Sequence, residues 1–472
     1  MSGTDARSAQ LRRYVETRHI DVIPPGARHG GPWQQFLFWF GANVNVFNVV
    51  LGAVVVSIGL TFWQALIAIA VGTLIGAALI ALHATQGPRL GVPQSIQSRG
   101  QFGFFGAAWM FPAVLLLNVG FIAAELVIQA QSMQGVLSGL SIPAWIVILA
   151  VPSLVIGIPG YRWIHAVMQA TAAVVGISLV VMLIQGLRHG SLPAAETTLT
   201  APHAGLFAAG VALLVIDMLS FGPFVSDYTR YLPDGCSGTR LFWAIYSGNV
   251  IATFFSCAVG AYLAALLPAL GPVAAIGRVS GRWALLVMAL SLVNANTFNA
   301  YTGSFQIISF ASMWRRFRPE SAAVRLIPFT LTMAAGVVIA ILGYQHFVSN
   351  LSNFLDDLLL VFIPWSAVNL TDYFAIRHGR YDVAAFFDPS GGPYGKVNWR
   401  GLAAVLAGFA AEWPFTSQPD YTGPLVARLG GADISWLTGW IVAAGVYLLL
   451  TSGTRQASRP GRPGRPAAAP VG

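Results

Sequence analysis

The sequence predicts an all-α integral membrane protein in which twelve transmembrane helices form two five-helix repeats followed by two further helices. Composition, the spacing of charged residues and two polar interruptions at matching positions carry that prediction. Of the 472 residues, 56% are hydrophobic and only 9% charged, with a mean hydropathy of +0.68. A water-facing surface cannot be built from such a chain. Twelve crossings of roughly 20 apolar residues each would use about half of it. An outer-membrane barrel is excluded, because its alternating strands do not give long uniformly apolar runs.

Charged residues mark the helices by their absence. No Asp, Glu, Lys or Arg lies between Arg28 and Arg89, which leaves room for two crossings separated by a turn at Leu60-Thr61. Similar gaps place crossings at 36–58, 64–86, 108–134, 142–159, 164–187, 205–229, 242–267, 283–311, 326–343, 355–374, 400–418 and 434–452. The eleventh is interrupted by Glu412 and Pro414.

The net charge of +9 reports orientation. With the N-terminus inside, only Arg188, Arg278, Arg282 and Arg428 of the 26 Lys and Arg residues fall on the outer face. That is the positive-inside asymmetry, so the basic excess marks cytoplasmic loops and tails at an inner or plasma membrane and not a nucleic-acid surface. The predicted organisation is a cytoplasmic tail at 1–32, repeats at 33–190 and 205–375, two further helices at 376–453 and a disordered Arg-Pro-Gly tail at 454–472. Residues 1–32 lack the apolar stretch of a signal peptide. Cys236 and Cys257 are expected to be ordinary thiols, since one lies in a polar loop, the other in an apolar run, and neither has metal-ligand spacing. The expected partners are a small molecule and the bilayer, and the oligomeric state is not legible beyond a monomer as the working expectation.

Polar groups are costly inside hydrocarbon, so those within crossings are the functional candidates. Crossing 1 carries Asn43, Asn45 and Asn48 in GANVNVFNVV, at spacings that no single helix face accommodates. A locally unwound segment would let their amides and freed carbonyls line a cavity. Crossing 3 places Phe121, Glu125 and Gln129 on one face, an aromatic, an acid and an amide able to stack on and bond a flat polar solute. Crossing 6 contains Gly222-Pro223, which should break the backbone ladder near Asp217, Ser220 and Phe221, with Asp227 and Arg230 a turn later as a gating or structural pair. In crossing 8, Asn296, Asn299 and Gly303 form a small polar stripe, whereas Asn294 is expected to point elsewhere.

Crossings 1 and 6, the interrupted pair, each begin a group of five. Discontinuous helices at matching positions point to an inverted-repeat transporter with its site at the midplane. No nucleophile motif, phosphate loop or metal spacing suggests an enzyme or a cofactor.

At these residues the sequence resembles the purine/cytosine permease branch of the first nucleobase:cation symporter family, and is cytosine permease-like. The resemblance rests on WFGANVNVF, GPRLGVPQSIQSRGQFGFFGA, SFGPFVSDYTRYLP, NTFNAYTGS, IPWSAVNLTDYF and YGKVNWRGLAAVLAG with GGADISW, from about Trp33 to Leu450. It implies the leucine-transporter-like fold of two inverted five-helix repeats. By position it implies a planar base sandwiched between Phe121 and Phe221, with Glu125, Asn296 or Asn299, and groups near Asn43 to Asn48 on its edge, and Ser220 beside the crossing 6 break is a further candidate contact. Where the family usually has Trp at both sandwich positions and an amide on crossing 3, this chain has Phe, Phe and Glu125.

A carboxylate that only accepts favours a ring edge rich in N–H groups. Guanine, cytosine and related amidine-bearing rings therefore fit better than uracil. Coupling to a co-transported cation is expected. Sodium would need carbonyls at the crossing 1 break and hydroxyls such as Ser291 and Thr297, whereas Glu125 or Asp217 would take a proton, which is favoured. The alternatives are a carrier of allantoin, hydantoin, a pyrimidine vitamin precursor or a cationic amine, and a non-transporting membrane sensor.

Overall fold

The structure, a computed structural model, describes residues 21–157, 161–314, 322–418 and 421–452. The expectations for the N-terminal tail before residue 21 and for the tail at 454–472 lie outside them. The first crossing forms two helices, α1 (Pro32–Asn43) and α2 (Val46–Ser57), bent by 57°. Asparagine chemistry explains the bend: Asn45 adopts an extended conformation at the α2 N-cap, and its side chain accepts from the Asn48 N–H at 2.8 Å.

Gly59, at φ +110°, makes the turn into α3 (Phe62–Ala84). Three short helical turns then lead to α4 (Met110–Val136), α5 (Ile142–Gly157) and α6 (Tyr161–His189). The sixth crossing breaks where Gly222-Pro223 predicts, as α7 (Ala204–Leu219), a 3-10 turn at Gly222–Phe224 and α8 (Val225–Thr229). There follow α9 (Gly238–Leu266), the nine-residue α10 (Pro272–Ser280), α11 (Arg282–Ala311), α12 (Ala322–Gly343) and α13 (Phe347–Leu370). α14 (Trp399–Glu412) and α15 (Ser435–Thr451) flank a two-residue hairpin of β1 (Ser417–Gln418) and β2 (Tyr421–Thr422).

With α1 and α2 as one broken crossing and α7 and α8 as another, the chain crosses twelve times. Two boundaries differ from the expectation. α13 begins eight residues before position 355, because Ser349, Asn350, Ser352 and Asn353 read as loop in the sequence although the chain is already helical there. α14 ends at Glu412 and not at 418, since Pro414 cannot donate a ladder hydrogen bond and the chain tightens into a 3-10 turn at Trp413–Phe415.

Two packed groups emerge. α2 lies against α9, with Gly52 facing the Cys257 carbonyl and Gly260 facing Val49 so closely that neither position has room for a side chain. Gly72 and Gly76 of α3 likewise admit α7, where a methyl group at Gly76 would stand 2.6 Å from the Met218 Cβ. This is small-residue packing, the means by which helices without a hydrophobic driving force in lipid gain contact. α4, α5, α11 and α12 form the second group, and Gly303 of the predicted crossing 8 stripe sits against Thr332 and Leu115. Between the groups lies the cavity.

Gly260→Leu is expected to abolish the folded protein, since overpacking costs typically 1–3 kcal/mol and here the obstacle is backbone. The check is loss of the monodisperse peak in detergent gel filtration, with Ala340→Gly as a tolerated control.

Candidate functional site

The cavity is bounded by the α1/α2 break, the middle of α4, α6, the α7/α8 break and one face of α11. Of the sequence candidates, Asn45, Asn48, Phe121, Glu125, Asp217, Ser220, Phe221, Ser291 and Asn299 line it. Phe121 is held edge-on by Phe47 and Phe354, with ring centroids 5.4 Å and 5.7 Å away. Phe221 is held in the same way by Trp39 at 5.4 Å and Phe224 at 5.8 Å. Edge contacts of this kind fix a ring while leaving a face available.

Two acids share this space, and both are nearly closed to solvent, Glu125 being 5% and Asp217 3% exposed. The Asn299 amide donates to Glu125 Oε2 at 3.2 Å. Asp217 Oδ2 has no hydrogen-bond partner among the described residues, while the Ser220 hydroxyl donates to the Asp217 carbonyl at 2.6 Å.

Six candidates stand elsewhere, four of them beside the cavity and two, Asp227 and Arg230, at the far end of the sixth crossing. Asn43 turns from the cavity to α9, where its amide donates to Asn249 Oδ1 at 2.8 Å and to the Trp39 carbonyl at 2.9 Å. Asn296 is fully buried between α11 and α4, 2.6 Å from Gln129 Oε1. The reason is angular: Asn296 lies about 60° around α11 from Asn299, just past the edge of the cavity face. Thr297 points to α5 and donates to the Ser153 carbonyl at 2.9 Å, so its hydroxyl is not offered to the α1/α2 break. Gln129 leaves the Phe121–Glu125 stripe to donate to the Ala289 carbonyl at 2.6 Å.

The structure also adds residues that the sequence reading missed. Asn294, expected to point away, lines the cavity with Ser291 and Phe298, a spacing that was legible as a second face of crossing 8. Trp39 and Phe224 join the aromatic lining from positions flanking the two breaks.

Asp227 and Arg230 belong to the far end of the sixth crossing. Asp227 Oδ1 accepts from the Gln94 N–H at 3.0 Å, and Arg230 reaches the Asp227 carbonyl with Nε at 3.3 Å. From there a polar chain runs across the face where α1 begins. Ser226 donates to Gln94 Oε1. Gln94 then donates to Gln86 at 3.3 Å, Gln86 to Asn369 at 2.8 Å, Asn369 to Gln101 at 3.2 Å and Gln101 to Asp372 at 2.9 Å. Asp372 also accepts from Tyr381 at 2.6 Å and Tyr447 at 2.8 Å, and pairs with Arg377 at 3.1 Å. The adjoining loop is pinned by Arg99, which donates to the Phe386 carbonyl at 2.7 Å; burial draws its guanidinium down to about 10.

Two helices interrupted at matching points, facing one largely apolar cavity between two helix groups, are the arrangement of an inverted-repeat secondary transporter. A family model described as "Permease for cytosine/purines, uracil, thiamine, allantoin" matches residues 22–439. YxlA of Bacillus subtilis is 32% identical over 92% of this chain and 96% of its own length. Purine-cytosine permease fcyB of Emericella nidulans is 25% identical over 94% of this chain and 91% of its own. Among solved structures, Mhp1, a nucleobase-cation-symport-1 family transporter, superposes in a closed conformation with bromovinylhydantoin bound. There the TM-score is 0.73 at 19% identity, covering 94% of this chain and 96% of that one. The chain belongs to the nucleobase:cation symporter family, purine/cytosine branch. It is a multi-pass membrane permease with twelve crossings, ten of them in two inverted five-helix repeats, and not an enzyme.

The altered placement of Asn43 separates two roles. Asn43→Ala leaves the buried Asn249 oxygen without its donor, which should cost about 1–3 kcal/mol. The expected result is a melting temperature several degrees lower with ligand affinity unchanged, whereas Asn48→Ala should weaken ligand binding; thermal unfolding with and without ligand measures both.

Proposed function

We propose that this permease imports an amidine-bearing nucleobase, cytosine or a purine such as guanine, together with a proton. The observation that carries the proposal is the Glu125 carboxylate, which lines one cavity with Phe121 and Phe221 and with residues of both broken helices. Phe121 and Phe221 would hold the ring by its faces. Glu125 can only accept where it meets the ring edge, so it favours N–H groups, and Asn45, Asn48, Asn294, Asn299 and Ser220 supply the remaining polar contacts. Asp217 offers a second acceptor from the opposite repeat.

The surroundings of the α1/α2 break support a proton over sodium. A sodium ion needs several oxygens converging on it. Here the Ala42 carbonyl accepts from Asn45 at 2.7 Å and the Asn43 carbonyl from Ser256 at 3.1 Å and Asn48 at 3.0 Å. Ser291 donates to its own helix at Met288, and Thr297 faces α5. Asn294 and Ala295, which line the cavity next to Ser291 on α11, carry no hydroxyl.

Uptake of labelled cytosine into proteoliposomes tests the substrate. Glu125→Gln should reduce cytosine uptake at least tenfold and improve uracil relative to it. Phe121→Ala should weaken binding by about 1–3 kcal/mol, roughly fivefold to a hundredfold. If both variants transported every accepted base as the wild type does, the site assignment would fall. An imposed pH gradient should drive uptake without sodium.

The charge asymmetry supports cytoplasmic termini. Cys236, part-exposed in the loop after α8, should then react with a membrane-impermeant maleimide only after cells are permeabilised, while buried Cys257 stays unlabelled. Labelling of Cys236 in intact cells would reverse the orientation.

A further inference from the structure

Behind the cavity, a short run of side chains has its polarity set by one backbone group. The Ala289 carbonyl can only accept, and Gln129 donates to it through Nε2 at 2.6 Å. Gln129 therefore presents Oε1, an acceptor, to Asn296. Asn296 meets it with Nδ2 at 2.6 Å, which places the Asn296 Oδ1 atom 3.0 Å from Glu125 Oε2 and 3.3 Å from the Ile122 carbonyl oxygen. Two buried oxygens 3.0 Å apart repel unless a proton lies between them.

Resting on the proposed role of Glu125, we infer that Glu125 carries its proton on Oε2 and donates it to Asn296 Oδ1, and that Ala289, Gln129 and Asn296 form a relay holding that proton in place. The opposite amide orientation brings oxygens into closer opposition. Turning the Asn296 amide over would satisfy Glu125 Oε2 at 3.0 Å and the Ile122 carbonyl at 3.3 Å, but it would set two oxygens 2.6 Å apart at Gln129. Turning Gln129 as well only moves that clash to the Ala289 carbonyl, again at 2.6 Å. The carbonyl cannot turn, so a protonated Glu125 is the arrangement that leaves the fewest opposed acceptors.

The other groups facing Glu125 agree with this. Asn299 donates to Oε2 at 3.2 Å, a long contact of the kind the weakly accepting oxygen of a carboxylic hydroxyl makes while it donates onward. α5, α10, α12 and α13 also pack on α4, yet among the described residues no charged side chain from them acts on Glu125. The other titratable group lining the cavity is Asp217, on α7. With the proton committed to Asn296, Oε1 remains as an acceptor for a substrate N–H. Proton and base would then bind the same side chain at different oxygens, the proton being taken from water on one side of the membrane and returned to water on the other. Asn296 and Gln129 are positioning residues that do not touch the substrate.

Infrared spectroscopy of the purified, reconstituted protein at neutral pH should show a carboxylic-acid C=O band that is absent in Glu125→Gln. Lack of that band in the wild type overturns the inference, whatever the variants do. The midpoint pH at which the band is lost should fall by about one unit, a tenfold loss of proton affinity, in Asn296→Leu and in Gln129→Leu. Asn296→Leu removes the acceptor of the acid proton, and Gln129→Leu frees the Asn296 amide to donate to the ionised form. An unchanged midpoint in the folded variants makes both residues mere packing and overturns the relay. A midpoint that rises in Asn296→Leu shows Asn296 donating to an ionised Glu125 and also overturns it. The band is read without substrate, so a wild type that shows it yet fails to bind cytosine would sink the substrate reading alone.

Discussion

A helix that stops inside a bilayer leaves carbonyl and N–H groups with no water to bond, and the whole site is built on how this chain provides for them. At the first break the partners are side chains. Asn45 bonds the Ala42 carbonyl and caps α2, while Asn48 and Ser256 share the Asn43 carbonyl. Asn43 in turn is anchored by Asn249 of α9. The second break uses backbone: Phe221 bonds Met218 at 3.3 Å and Phe224 bonds Phe221 at 3.2 Å in 3-10 fashion, and Pro223 brings no donor to satisfy. The first break consumes asparagines, and the second leaves Ser220, Phe221 and Asp217 to face the cavity.

That difference shapes the chemistry of the cavity. Its walls are mostly aromatic and aliphatic, and its polar groups are amides, the hydroxyls of Thr171, Ser220 and Ser291, and two acids from opposite repeats. In such surroundings a buried acid has its protonation set by its hydrogen-bond partners. Glu125 has a chain of amides behind it that ends in a backbone carbonyl, whereas Asp217 Oδ2 has no partner among the described residues. The two acids are therefore not equivalent, although the sequence presents them as a pair.

The strings that carry the family resemblance lie far apart in the chain but meet in space. SDYTRYLP contributes Ser226 and Asp227, QSIQSRGQFG contributes Gln94 and Gln101, and VNLTDYF contributes Asn369 and Asp372 to one continuous polar chain. It ties α8 to α13 and, through Tyr447, to α15. A π-turn at Thr371–Ile376 prolongs α13, and Asp372 stands within it, buried, where three donors and Arg377 converge. Specific-looking loop residues are thus explained as the joint that holds one end of the sixth crossing, and not as substrate contacts.

The sequence by itself determined the membrane class, the twelve crossings, both breaks and the residues Phe121, Glu125 and Phe221, because hydrophobic length, a Gly-Pro pair and a lone acid in an apolar run are local signals. Only the tertiary structure decided which amides face the cavity. Asn296 and Asn294 are two residues apart on a helix whose both sides are buried, so no amphipathic contrast distinguishes a face against α4 from a face on the cavity. Asn43 looks like its neighbours until Asn249, 206 residues later, is brought beside it. The same holds for Thr297, which Ser153 claims, and for Glu125, behind which the amides of Asn296 and Gln129 lead to a carbonyl on another helix. Hydrogen-bond partners across helices depend on the packing of distant segments, and one-dimensional spacing does not contain them.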